Sequence, residues 1–138
     1  MIIVDTNVFS ELVRAQPNER VIAWFGAQDI GELWTTAITE AEMLIGLAMM
    51  PQGRRRAELE SAIGAVLVRF EHRILSFDRD AARDLPVIFL ARRAAKLEPK
   101  LADSQIAAIA LAYGAAVATR DTDDFAQTGV QIVDPWIV

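Results

Sequence analysis

Short apolar runs alternate with longer segments of helical periodicity along this chain, and the alternation predicts its elements. Ile2-Ile3-Val4 is β-branched and uninterrupted, as suits a strand buried on both faces of a parallel sheet. Asp5-Thr6-Asn7 carries capping chemistry ahead of a short helix from Val8 to Arg14. Pro17 and Asn18 restart a helix whose apolar side is Val21, Ile22, Trp24 and Phe25, and Leu33 to Ala37 reads as a second strand. Thr39 followed by Glu42 matches a capping box, opening a helix through Met43, Leu44, Leu47 and Met50 that stops near Pro51 and Gly53. Arg54 to Phe70 is a further helix, with Leu59, Ile63, Val66 and Phe70 on one side. Ile74 to Phe77 predicts a short strand, and the segment after Asp78 a helix bent or split at Pro86. Ala102 to Gly114 is an alanine-rich helix with a glycine stop. Ala116 to Thr119 and Gln131 to Val133 are the last strands, with a turn or single helical turn at Asp121 to Phe125 between them. Strands alternating with helices predict the α/β class: three α/β/α layers around a mostly parallel central sheet. With no linker, repeat or low-complexity stretch, residues 1–138 read as one domain.

Composition narrows the function classes. At 138 residues and 53% apolar content the chain can bury a real core, which excludes disorder. No apolar run reaches membrane-spanning length. Met1-Ile2-Ile3-Val4-Asp5 lacks the basic region of a secretion signal, and the absence of cysteine excludes disulfides and thiolate metal sites; both fit a cytoplasmic protein. A net charge of −5 argues against nucleic-acid binding by bulk charge. Basic residues nevertheless cluster at Arg54-Arg55-Arg56 and at Arg92, Arg93, Lys96 and Lys100, so a local phosphate-binding surface stays open. A solvated helix start and a solvated helix face are the plainer readings of those two clusters.

Four acids stand at the ends of apolar segments: Asp5, Glu42, Asp103 and Asp121. Singly, each has an ordinary explanation as a helix cap, the acidic half of a capping box, a first-turn helix acid and a turn residue. Jointly they point elsewhere. In parallel α/β sheets sites form at the carboxyl ends of strands. Asp5 and Asp121 follow strands there, while Glu42 and Asp103 open helices packed on the same sheet. Gathered carboxylates repel one another unless their pKa values rise or a cation holds them ionised. With no Cys and one His, only oxygen ligands are on offer, which suits Mg²⁺ or Mn²⁺. Ser10, Ser61, Ser76 and Ser104 lack a histidine partner, which disfavours Ser-His-Asp hydrolysis. No glycine-rich phosphate loop occurs, and Asn7 stands where an aspartyl phosphotransferase wants its second Asp. Trp24, Trp34 and Trp136 read as core or contact anchors rather than base-stacking platforms.

Val4-Asp5-Thr6-Asn7-Val8, Ile38-Thr39-Glu40-Ala41-Glu42, Ala102-Asp103-Ser104-Gln105-Ile106-Ala107-Ala108, Thr119-Arg120-Asp121-Thr122 with Phe125, and Asp134-Pro135-Trp136 occur in that order. In this the chain resembles the PIN-domain ribonucleases, specifically VapC-type toxins of toxin–antitoxin pairs and their FitB-like subgroup. The resemblance implies a metal-dependent endoribonuclease that hydrolyses RNA phosphodiester bonds by metal-activated water. It implies Asp5, Glu42, Asp103 and Asp121 as catalytic acids, Asp5 and Asp103 as main ligands of Mg²⁺ or Mn²⁺, Thr6 and Asn7 beside the site, and Thr119 near its rim. It also implies a homodimer held inactive by a cognate antitoxin, with no membrane. Asp123 and Asp124 crowd Asp121 and compete with it for that role. The reading from another class is a non-catalytic RNA- or protein-binding module on the same fold.

Overall fold

The computed structural model describes residues 1–138. Its chain order is β1 (Ile2–Val4), α1 (Thr6–Leu12), α2 (Glu19–Ala27), β2 (Leu33–Thr36), α3 (Ala37–Ala48), α4 (Arg54–Val68), β3 (Ile74–Leu75), α5 (Arg79–Ala94), α6 (Leu101–Tyr113), β4 (Ala116–Ala118) and β5 (Ile132–Val133), with a 3₁₀ turn at Ile30–Glu32. All five strands are parallel, in the order β3-β2-β1-β4-β5. The α/β/α expectation and the parallel sheet are both borne out.

Neighbouring residues of the central strands enter different cores, because side chains alternate across a sheet. Ile3 and Val117 join one cluster with Ala81, Ile88, Phe125 and the Ile106–Ala110 face of α6. Val4 and Ala118 join the other with Val8, Phe9, Val21, Met43, Leu47, Ile63 and Phe70. Helices α1 to α4 therefore cover one face, and α5 and α6 the other. Crossover handedness explains the division. The chain steps outward from β1 to β2 to β3 with its helices on one side, then returns past β1 to β4, which puts α5 and α6 on the opposite side.

Most boundaries agree with the sequence reading to within one or two residues, and two features differ. Pro86 does not split its helix: α5 runs unbroken from Arg79 to Ala94. Losing one N–H donor is tolerated where a helix is held by packing, and Ile88 is buried on the α6 side. The capping box at Thr39 and Glu42 is also not what starts α3. Thr36 is the N-cap, extended at the end of β2, and its hydroxyl accepts the Thr39 N–H at 3.0 Å. Glu42 thereby moves into the second turn and its carboxylate is freed from capping. Gly114 closes α6 with φ +61°, the left-handed conformation anticipated for its stop.

Candidate active site

Strand order reverses between β1 and β4, so the connections leaving their carboxyl ends diverge and open a crevice. Asp5 follows β1 directly, and its N–H donates to the Ala118 carbonyl of β4 at 3.0 Å. Asp5, Thr6, Asn7, Glu42, Asp103 and Asp121 all line one cleft of about 1230 Å³ there. Four separate elements deliver the acids: the β1–α1 junction, the second turn of α3, the first turn of α6 and the loop after β4.

Asp5 is 3% exposed and accepts three kinds of donor. Its Oδ1 takes the Thr6 N–H at 2.7 Å, which makes it the N-cap of α1 as well. Its Oδ2 takes the Thr119 hydroxyl at 2.8 Å and the Asn7 amide at 3.1 Å. The Thr119 hydroxyl in turn accepts from Asn7 Nδ2 at 2.8 Å and from the Asp121 N–H at 3.1 Å. Asn7 completes the net, donating to Asp121 Oδ2 at 3.2 Å and accepting the Arg120 N–H at 3.2 Å. Thr119 is fully buried, so it lies beneath the cleft floor and not on its rim. Opposite, the Thr6 hydroxyl donates to Glu42 Oε2.

Two carboxyls are strongly displaced from their ordinary range. Burial pushes Asp5 up to about 7, with the charges of Asp103 and Glu42 adding to the rise and the Thr119 and Thr6 hydrogen bonds opposing it. Burial also raises Asp103, to about 6; Asp124, Glu42 and Asp121 push the same way and Lys100 opposes them. Among the three crowded aspartates, Asp121 faces the cleft with Asp5, Asp124 takes Lys100 Nζ at 2.7 Å, and Asp123 lies outside the cleft lining. No three acidic or imidazole side chains stand close enough to cage an ion by themselves. A hard cation held by one or two carboxylates and otherwise by water suits such an open set of oxygen donors, and Mg²⁺ binds in that manner.

Glu11 escapes the sequence reading, which names Arg120 only inside a motif and Arg55 only as one of a basic cluster. Glu11, on the cleft wall, accepts the Asn18 N–H at 2.7 Å and Arg14 at 3.0 Å, and the Asn18 bond first and Arg14 second hold its carboxyl below the usual range. Arg120, in the wall beside Asp121, lays its guanidinium 5.6 Å from the Trp136 ring centroid. Arg55 alone of the Arg54-Arg55-Arg56 cluster reaches the cleft; Arg54 pairs with Glu58 and Arg56 bonds the Met50 carbonyl. No local sequence pattern distinguishes these arginines from solvated ones.

An all-parallel sheet with carboxylates from four elements lining the cleft at its switch point is an α/β domain with an acidic cleft. The chain belongs to the PIN domain family, which matches residues 2–131. It is 46% identical over 138 residues to the VapC ribonuclease Y4jK of Sinorhizobium fredii, spanning 99% of this chain and 98% of that one. It is 38% identical to Toxin FitB of Neisseria gonorrhoeae, spanning 99% of each. The crystal structure of FitAcB from Neisseria gonorrhoeae superposes with a TM-score of 0.93, 37% identity and full coverage of both chains. The resemblance drawn from the motifs is thus borne out. No helix is long and apolar enough to cross a membrane.

Proposed function

We propose that this protein is the toxin of a toxin–antitoxin pair and acts as a metal-dependent endoribonuclease. The observation that carries the proposal is the convergence of Asp5, Glu42, Asp103 and Asp121 on one cleft, with two of them displaced toward neutral pKa. Full-length similarity to a VapC ribonuclease and to Toxin FitB supports the same reading.

Asp5 and Asp103 are the proposed direct ligands of Mg²⁺ or Mn²⁺, and Glu42 and Asp121 complete the site from either side. When bound, the dication offsets charge on the phosphate oxygens and acidifies a water. The chain's own residues do the rest. Thr119 and Asn7 fix the Asp5 carboxylate in one orientation, since Oδ2 is held by both. The Thr6 hydroxyl holds Glu42 toward the cleft. Arg55 and Arg120 stand on the cleft walls, where they neutralise phosphates flanking the one being cleaved. Trp136 holds the Arg120 guanidinium at the wall by a cation–π contact.

The proposed partner is a cognate antitoxin that places a cation among the carboxylates, and the proposed assembly is a homodimer bound to it. The neighbouring structure of FitAB bound to an IR36 DNA fragment, 38% identical to this chain, supports a paired protein. A guanidinium satisfies crowded carboxylates in place of a metal.

The test is cleavage of a single-stranded RNA by purified protein with Mg²⁺, Mn²⁺ or chelator. Cleavage that needs the ion and disappears in Asp5→Asn and Asp103→Asn, with circular dichroism unchanged, is the expected result. Ion-dependent cleavage that persists in both variants rejects the site assignment. Tight RNA binding without cleavage under any ion favours the non-catalytic module.

A further inference from the structure

The sequence groups Arg92 with exposed bases along a helix face, but its side chain is turned inward and is 3% exposed. A buried guanidinium ordinarily meets a carboxylate. This one meets backbone carbonyls. Its Nε and Nη2 donate to the Glu98 carbonyl at 3.2 and 3.0 Å. Its Nη1 donates to the Asp123 carbonyl at 3.1 Å and the Ala126 carbonyl at 2.7 Å. The Arg92 carbonyl also accepts the Leu97 N–H at 2.9 Å.

These acceptors belong to two segments that carry cleft acids. Glu98 lies in the connection leading to Lys100, the N-cap of α6, and Asp103 sits in the first turn of that helix. Asp123 and Ala126 lie in the turn after β4. Asp121 is tied to that turn through its carbonyl, which accepts the Asp124 N–H at 3.0 Å. Lys100 and Asp124 join the two segments a second time, at 2.7 Å across the surface.

We infer that Arg92 is a positioning residue of the acidic cleft, fixing the start of α6 and the 121–126 turn as one unit so that Asp103 and Asp121 keep their separation. The inference rests on the proposed metal site. It concerns geometry that only a planar fork supplies: one side chain donates in two directions to carbonyls of two segments. A lysine ammonium is a point donor on a flexible stem and cannot span both. Residues that orient ligands without touching the ion commonly change metal affinity by about 10- to 100-fold when altered.

The experiment is Mn²⁺ titration calorimetry on the full chain, comparing wild type with Arg92→Lys, Arg92→Gln, Asp121→Asn and the Arg92→Lys/Asp121→Asn double variant. Ile88→Val, a buried position one turn away on the same helix, is the control for general destabilisation. Arg92→Lys is expected to fold at 25 °C and to weaken Mn²⁺ binding about tenfold or more. The double variant is expected to lose less than the sum of the two single losses, since part of the Arg92→Lys loss acts through Asp121. Ile88→Val is expected to melt lower and bind as wild type. Unchanged affinity in Arg92→Lys, additive losses in the double variant, or an equal loss in Ile88→Val overturns the inference. So does failure of both Arg92 variants to fold, because the guanidinium would then hold the whole domain. A wild type that binds no Mn²⁺ removes the metal site itself; a wild type that binds while Arg92→Lys binds equally removes only the role of Arg92.

Discussion

The displaced Asp5 carboxyl makes a quantitative claim about stability that needs no RNA. An acid whose pKa rises on folding binds its proton more tightly in the native state. Its contribution is therefore fully present below the unfolded value of 3.8 and is lost as pH climbs through the folded value of about 7. At pH 5 the folded group is protonated and the unfolded one is not, so stability falls by about 1.4 kcal/mol per pH unit up to neutrality. Between about pH 5 and pH 8.5 the loss sums to about 3 kcal/mol, or on the order of 10 °C in melting temperature for a chain of this size. Asp103, raised by burial and by Asp124, Glu42 and Asp121, pushes in the same direction by a smaller amount because it is less buried. Asp5→Asn isolates the first effect. Asparagine caps a helix as well as aspartate does, so α1 keeps its start. The amide does disturb the Thr119 and Asn7 bonds, which offsets its stability by a constant but not its slope with pH. The assay is thermal unfolding of both proteins in chelator at the two pH values. Wild type should lose about 10 °C more than Asp5→Asn across that range, and Mn²⁺ at high pH should restore wild type alone. Equal pH dependence in the two proteins refutes the reasoning and leaves Asp5 a simple helix cap.

Thr119→Val removes a hydroxyl that donates once and accepts twice, stranding Asp5, Asn7 and the Asp121 N–H; denaturant unfolding should show a loss of about 1–3 kcal/mol despite equal side-chain volume. Lys100→Met takes away the one cation that lowers Asp103, so its carboxyl rises further and the acid limb of the RNA-cleavage pH profile should move to higher pH. Phe70 is fully buried, edge-on to Phe9 with centroids 5.0 Å apart; Phe70→Ala should cost about 3–5 kcal/mol in chemical unfolding, with residual cleavage by the folded fraction unchanged.

The strands were legible because β1 and β4 are buried on both faces, and that condition writes itself into sequence as unbroken apolar runs. The four acids were legible for a related reason: each borders such a run or the helix beside it. What stayed hidden is what depends on partners far along the chain. Thr39 and Glu42 satisfy a capping rule that concerns only neighbours, while Thr36 satisfies the geometry, because α3 starts directly where β2 ends, with its cap three residues before Thr39. Asn7 and Thr119 meet across 112 positions, and no local spacing announces that contact. Arg92 is the clearest instance. Beside Arg93 in sequence it looks like half of a basic patch, yet a single residue's step of about 100° around α5 separates the exposed Arg93 from the buried Arg92.

The distribution of cations explains why the cleft stays reactive toward an outside charge. Five ion pairs form in the protein, and none includes Asp5, Glu42, Asp103 or Asp121. Arg14 is taken by Glu11, Lys100 by Asp124, and Arg92 by carbonyls. Had Lys100 closed on Asp103 directly, that carboxyl would be held down and its neighbours relieved, and an arriving ion would gain little by displacing a salt bridge already made. The fold instead commits Arg14, Lys100 and Arg92 to framing the site and leaves Arg55 and Arg120 on its walls without an ion pair. Repulsion and burial are only partly offset at Asp5 and Asp103, so further relief is available to whichever cation enters. On the proposed function, a dication bringing substrate phosphate and a partner's guanidinium would compete on the same terms, and one electrostatic deficit would supply both activity and its inhibition.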